Sequence, residues 1–257
     1  MSHKIKWMEM TPVELDEAVA RRPIAYLPIG SLEWHGPHLP LGTDSYRAEA
    51  ICLGAAEKSG GVVLPTMYIT APGFSAYRGS IFFSGRLVEQ IMDEIEREIE
   101  KVGFRVLIKL LGHGGQAQNY CFRDEGRKRP ASRRLKTLMT TGHFPTAREL
   151  GLTGPHAGAF ETAQTFATAP DAVQLDKYDP AATTLPRYEG LDPATYYDGL
   201  PEEMRERVRT HMARTEWEWQ DDLVERVTAE GAAPASLQRA AEHVARQALD
   251  ALTESGA

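Results

Sequence analysis

The sequence predicts an α/β domain with a largely parallel sheet. Strand-length apolar runs alternate with helical periods, the pattern of strands joined by crossover helices. At 257 residues the chain is long enough to bury a large core without staples. Its apolar content of 42% and charged content of 25% are those of an ordinary globular protein.

The elements follow in order. "PIAYLPIGSL" (23–32) reads as a buried strand that ends in glycine and serine. "TDSYRAEAICLGAAEKSG" (43–60) follows as a helix, capped by Thr43 or Asp44 and ended by Gly60. "GVVLPTMYI" (61–69) is a second strand. Over 84–103 Leu87, Ile91, Ile95 and Ile99 recur every four residues, with Val88, Met92 and Val102 beside them. That pattern predicts a helix between Ser84 as its N-cap and Gly103 as its stop. "FRVLIKLLG" (104–112) is a third buried strand, "RRLKTLMTT" (133–141) a fourth, and 236–254 a closing helix. Residues 176–235, rich in proline and tyrosine and then in charge, with Trp217 and Trp219, read as an excursion. They suit a lid or a subunit contact rather than a second fold, which leaves a single domain over 1–257.

Charge and cysteine content exclude some classes. With 36 acidic and 29 basic residues the net charge is −7, against a nucleic-acid partner, which wants a basic surface. No stretch is apolar enough to predict a membrane span, and "MSHKIKWMEM" lacks the apolar core of a signal peptide. Two cysteines, Cys52 and Cys121, make no disulfide framework, so a reducing cytoplasm is expected.

The chemistry gathers at the predicted strand ends, where sites of parallel sheets collect. Glu33 and His35 are two apart, so in extended chain they point to one side and can grip one ion or two adjacent ions. Asp44 falls in the first turn of the next helix, where its charge suits the helix dipole. His113 sits on a glycine-rich bend just past the third strand, and His156 and Glu161 lie near glycines in "GPHAGAFETA". Imidazoles mixed with carboxylates suit Zn, Mn or Fe more than Ca or Mg. His3, His143, His211 and His243 read as ordinary hydrogen-bonding histidines.

"LPIGSLEWHGPHLPLGTD" (27–44) closely resembles the signature of the creatininase (creatinine amidohydrolase) family, Glu-Gln-His-Gly-x-His-Leu-Pro followed by Asp. "GHGGQ" (112–116), "HAGAFETA" (156–163) and, loosely, "YRGSIFFS" (77–84) resemble its other blocks, in order and at plausible spacings. The resemblance implies a three-layer α/β/α sandwich, a site for two divalent ions (Zn, Mn or Fe) and a homo-oligomer, often a hexamer. It implies Glu33, His35, Asp44 and His113 as metal ligands, with Asp44 shared, His38 in support and His156 as the proton-moving residue at the substrate. Trp34 replaces the usual Gln, Leu111 an Asn, and Gly115 a ligating Glu, which leaves Glu161 to fill the ligand set or steer the nucleophile. Trp34, Tyr77, Arg78 and Gln116 are the substrate-side candidates. The expected activity is hydrolysis of a C–N bond in a small cyclic amide or formamide. The alternatives are C–C ring opening or isomerisation of a cyclic polyol ketone such as an inosose, and a metal-binding oligomer without turnover.

Overall fold

The computed structural model describes residues 4–123, 134–141 and 144–256. Its sheet has four parallel strands, β1 (Ile24–Ile29), β2 (Val62–Val63), β3 (Val106–Leu111) and β4 (Lys136–Thr140), in the order β2-β1-β3-β4. β1 and β3 are paired along their whole length, from Ile24 opposite Val106 to Ile29 opposite Leu111. Both read as unbroken apolar runs because both of their faces are covered.

The strand alternation sorts the core into two layers. Ile24 and Tyr26 of β1, with Val106, Ile108 and Leu110 of β3, face α2 (Thr43–Ser59) and α9 (Ala232–Glu254). There Ala48, Cys52, Ala55 and Ala56 meet Ala240, Val244, Ala245 and Ala248, and such small residues let two helices approach closely. Ala25, Leu27 and Ile29, with Leu107 and Leu111, face the opposite layer. That layer contains α1 (Pro12–Arg21), α3 (Gly85–Val102), α4 (Gln116–Phe122) and α7 (Glu202–Ala213). Helices on both faces of a parallel sheet make the predicted α/β/α sandwich. α5 (Phe144–Glu149), α6 (Ala159–Thr168) and α8 (Leu223–Thr228) pack as a smaller cluster with the start of α9.

Several expectations are corrected in detail. The run 61–69 is strand only at Val62–Val63, with isolated bridges from Lys6 to Val63 and from Ile29 to Met67; Pro65 has no N–H to offer a ladder. α2 has Gly42 at its N-cap and no side-chain cap, because Thr43 Oγ1 donates to Pro40 O (2.7 Å) and Asp44 turns inward. α3 starts after Ser84 and stops at Gly103 as predicted, yet its buried line is Val88, Met92, Glu96 and Ile99, while Leu87 is exposed. Buried Lys109 of β3, 3.2 Å from the Glu96 carboxylate, draws that polar position inward. The closing helix begins at Ala232, four residues early. Met204, Val208 and Met212 of α7 belong to the core beside α3 and α4. His3 and His143 lie outside the described residues. Among the described residues no helix is long and apolar enough to cross a membrane. Cys52 and Cys121 are both buried.

Candidate metal centre

Three chain turns deliver the polar cluster. β1 ends at Ile29, and the loop beyond it carries Glu33, His35 and His38 before α2 brings in Asp44. Gly36, at φ +80°, makes the turn between the two histidines in a conformation that glycine adopts without strain. β3 ends at Leu111, two residues before His113. α6 opens just after His156 and places Glu161 in its first turn. Both strand-end positions are the ones a parallel sheet predicts.

The side chains converge in a largely buried space. Glu33, His35 and Asp44 are at most 1% exposed and His113 4%. His35 Nε2 lies 3.3 Å from Asp44 Oδ1, 3.8 Å from Glu161 Oε2 and 3.9 Å from Glu33 Oε2. His113 Nδ1 lies 2.8 Å from Glu33 Oε2 and 3.5 Å from Asp44 Oδ2. Three overlapping triads each keep their candidate ligand atoms within 4.8 Å: Glu33, Asp44 and His113; His35, Asp44 and Glu161; Glu33, His35 and His156.

The donor set suits a divalent cation. His35 Nδ1 faces its own chain at Glu33 O (3.0 Å), which fixes the ring with Nε2 toward the carboxylates. That Nε2, fully buried, has no hydrogen-bond partner. A bare imidazole nitrogen among carboxylate oxygens is the combination that holds Zn, Mn or Fe. Without an ion the same crowding favours protons. Burial works against a charged His35, but Asp44, then Glu161 and Glu33, outweigh it and raise its pKa to about 9. His113 rises to about 10 for the same reasons, with Glu33 and Asp44 overcoming burial. Against burial, His35 and His113 hold Asp44 well below the usual carboxylate range.

His156 is set apart from this group. Its Nε2–H donates to Trp34 O (2.7 Å), which leaves the Nδ1 lone pair 3.9 Å from Glu161 Oε2. Burial, then the neighbouring His35, lowers its pKa, so at neutral pH the ring is uncharged. Ala157 next to it has φ +57°, a left-handed conformation that costs a non-glycine residue energy, and its N–H donates to Glu161 Oε2 (2.6 Å). His38 stands behind the cluster, with Nε2 3.0 Å from Thr162 Oγ1 and its ring against Tyr178.

Two glycines sit where space is tight. A Cβ on Gly112 would meet Asp44 O at 2.2 Å, so the end of β3 can approach α2 only without a side chain. A Cβ on Gly115 would lie 2.4 Å from His113 Nε2, so a side chain at that position would require the His113 ring to shift.

A cavity of about 480 Å³ opens onto the cluster from Glu33, His113, His156 and Glu161. Phe74, Phe160 and Trp217 give it apolar walls, and Arg207, Val208 and His211 of α7 line another side. Of the substrate-side candidates, Gln116 lines the cavity. Trp34 meets the site through its backbone carbonyl and packs its ring on Tyr77 and Trp219. Tyr77 is fully buried, donates its hydroxyl to His211 O (3.0 Å), and does not line the cavity. Arg78 is exposed and away from the lining. Of these candidates only Gln116 itself lines the cavity. His211, read from the sequence as ordinary, faces the cavity.

Sequence reading also missed Arg47. It is fully buried, with Nη1 3.3 Å from Asp44 Oδ1 and 3.2 Å from Glu161 Oε1, and Nε 3.0 Å from Gln164 Oε1. A signal was present: Arg47 falls three residues after Asp44, on the same face of an alanine-rich helix.

Comparison with known proteins places this arrangement. The model of the creatininase family (creatinine amidohydrolase) matches residues 8–257. The chain belongs to the creatininase family. Creatinine amidohydrolase of Pseudomonas putida is 27% identical over 222 residues, covering 76% of this chain and 84% of that one. A mycofactocin precursor peptide peptidase of Mycolicibacterium smegmatis is 29% identical over 182 residues, covering 64% and 68%. A crystal structure of creatinine amidohydrolase superposes with a TM-score of 0.64 at 22% identity, over 96% of this chain and 99% of that one, so the fold is shared. This creatininase-family chain is thus a hydrolase with a divalent-metal site.

Proposed function

We propose that this hydrolase cleaves the C–N bond of a small cyclic amide or formamide, with two divalent ions held by Glu33, His35, Asp44, His113 and Glu161. The carrying observation is the buried, partnerless Nε2 of His35 aimed into three carboxylates. Bound divalent ions would polarise the scissile carbonyl and make an attacking water acidic at neutral pH.

The chain's own groups supply the rest. His156 is neutral, with Nδ1 free to take a proton and return it to the leaving nitrogen as general acid. Glu161 accepts from Ala157 N and Arg47, which fixes the carboxylate facing His156. Phe74, Phe160 and Trp217 exclude water, which strengthens every charge interaction inside the cavity. Their flat faces suit a ring or a planar amide. The names of both relatives, an amidohydrolase and a peptidase, support C–N rather than C–C chemistry.

The test is a screen of cyclic amides, formamides and inososes with protein loaded with Mn or Zn. The expected result is release of an amine with a new carboxylate. Turnover of a cyclic polyol ketone and of no amide would replace this reading with the C–C one. We also propose a cytoplasmic homo-oligomer, of hexameric size by family resemblance. The exposed Leu41, Tyr46 and Tyr188, gathered about Gly42 and Gly79, offer it a contact. Light scattering on the purified protein measures the subunit count.

A further inference from the structure

We infer that Arg47 takes the electrostatic place of a second ion, so that the centre binds one divalent ion tightly and the next far more weakly. The inference rests on the metal reading above and concerns how its two positions differ.

The buried charges do not balance two ions. Glu33, Asp44 and Glu161 contribute three negative charges, and the guanidinium of Arg47 one positive. With neutral imidazoles the cluster carries two net negative charges, the complement of one divalent ion. A second ion would leave buried positive charge in surroundings that screen it poorly.

Geometry assigns the weak position. The triad of His35, Asp44 and Glu161 needs the oxygens that face His35 Nε2, which are Asp44 Oδ1 and Glu161 Oε2. Asp44 Oδ1 already accepts from Arg47 Nη1 at 3.3 Å, and Glu161 Oε2 from Ala157 N at 2.6 Å. Arg47 Nη1 also holds the other Glu161 oxygen, Oε1, at 3.2 Å. A cation placed there shares both carboxylates with a fixed cation. Arg47 cannot swing clear, because Gln164 Oε1 holds its Nε and the Phe160 ring lies 5.7 Å from its guanidinium carbon. The triad of Glu33, Asp44 and His113 uses Asp44 Oδ2 and Glu33 Oε2; the neutral Ser31 hydroxyl donates to Asp44 Oδ2, whereas the Arg47 cation donates to the other oxygen, Oδ1. The tight ion therefore belongs to Glu33, Asp44 and His113. Arg47 acts as a positioning residue for the charge of the site.

The experiment titrates metal-stripped protein with Mn²⁺, followed by calorimetry and by elemental analysis after dialysis. One ion per chain is expected to survive dialysis, with the second bound about 100-fold more weakly, the scale of a like-charge juxtaposition. Arg47→Met should bring the second affinity to within about tenfold of the first, and Arg47→Lys should keep the gap. Two ions of equal affinity in the unaltered protein overturn the inference and leave the metal centre standing, a result that does not depend on any variant folding. An unchanged gap in folded Arg47→Met overturns it as well. Binding of no ion at all sinks the metal reading itself.

Discussion

The stretch from Ser31 to Asp44 and the excursion 176–235 meet at one cavity and contribute unlike things. The first supplies charge. Its ligand candidates are buried and held by hydrogen bonds, with Ser31 Oγ donating to Asp44 Oδ2 (2.7 Å) and Phe74 N to Glu33 Oε1 (3.1 Å). The second supplies shape. It brings Val208, His211 and Trp217 to the wall from a chain of short helices and turns. The seam between them is aromatic: the His38 ring stands edge-on to Tyr178 at 4.8 Å and to Trp219 at 6.4 Å. The difference teaches that reactive charge needs a rigid strand end, whereas a pocket wall can come from any segment the core will anchor.

Four changes test this division, in falling order of effect. Asp44→Asn removes the carboxylate shared by two of the triads. It should abolish both metal retention and turnover; metal analysis alongside kinetics would contradict the division if the variant kept its ion and its rate. His156→Ala should lower kcat by about 100-fold or more while the bound metal stays, as expected for loss of a general acid. Equal loss of metal would move His156 into the ligand set, as its triad with Glu33 and His35 allows.

Trp217→Ala changes only the wall in this view. It should raise KM by about tenfold with a smaller change in kcat, the size of one lost apolar contact. A collapse of kcat with KM unchanged would assign the excursion a chemical role instead.

The seam should respond to acid. Burial, then the charge of His35, lowers the His38 pKa to about 4, against an ordinary value near 6.5. A folded pKa below the unfolded one gives stability that is complete above about pH 6.5 and is lost as pH falls toward 4. The loss amounts to at most about 3 kcal/mol over that window. Thermal unfolding of His38→Gln, which keeps an amide for Thr162, should show a shallower fall between those pH values. An identical slope in the variant would remove His38 from the seam.

Much of the centre was legible before folding. Glu33, His35, Asp44 and His113 each fall at a strand end or helix start that short-range pattern marks, and their residue types name the chemistry. Glu161 and His156 were legible as candidates because glycines flank them, though nothing local gave their distance from His35. The sheet core was legible too, because buried parallel strands must be continuously apolar. Less legible was the inner line of α3, where Glu96 displaces the apolar stripe toward a lysine on another element.

The sequence by itself determined the layered α/β order, the strand-end ligand candidates and the family, since each rests on neighbours within a few residues. Only the tertiary structure decided that Arg47 lies between Asp44 and Glu161, that Tyr77 and Arg78 stay off the cavity, and that α7 and Trp217 form its wall. The Arg47–Glu161 pair joins residues 114 positions apart. Such contacts are set by how helices pack across the sheet, for which no local periodicity exists.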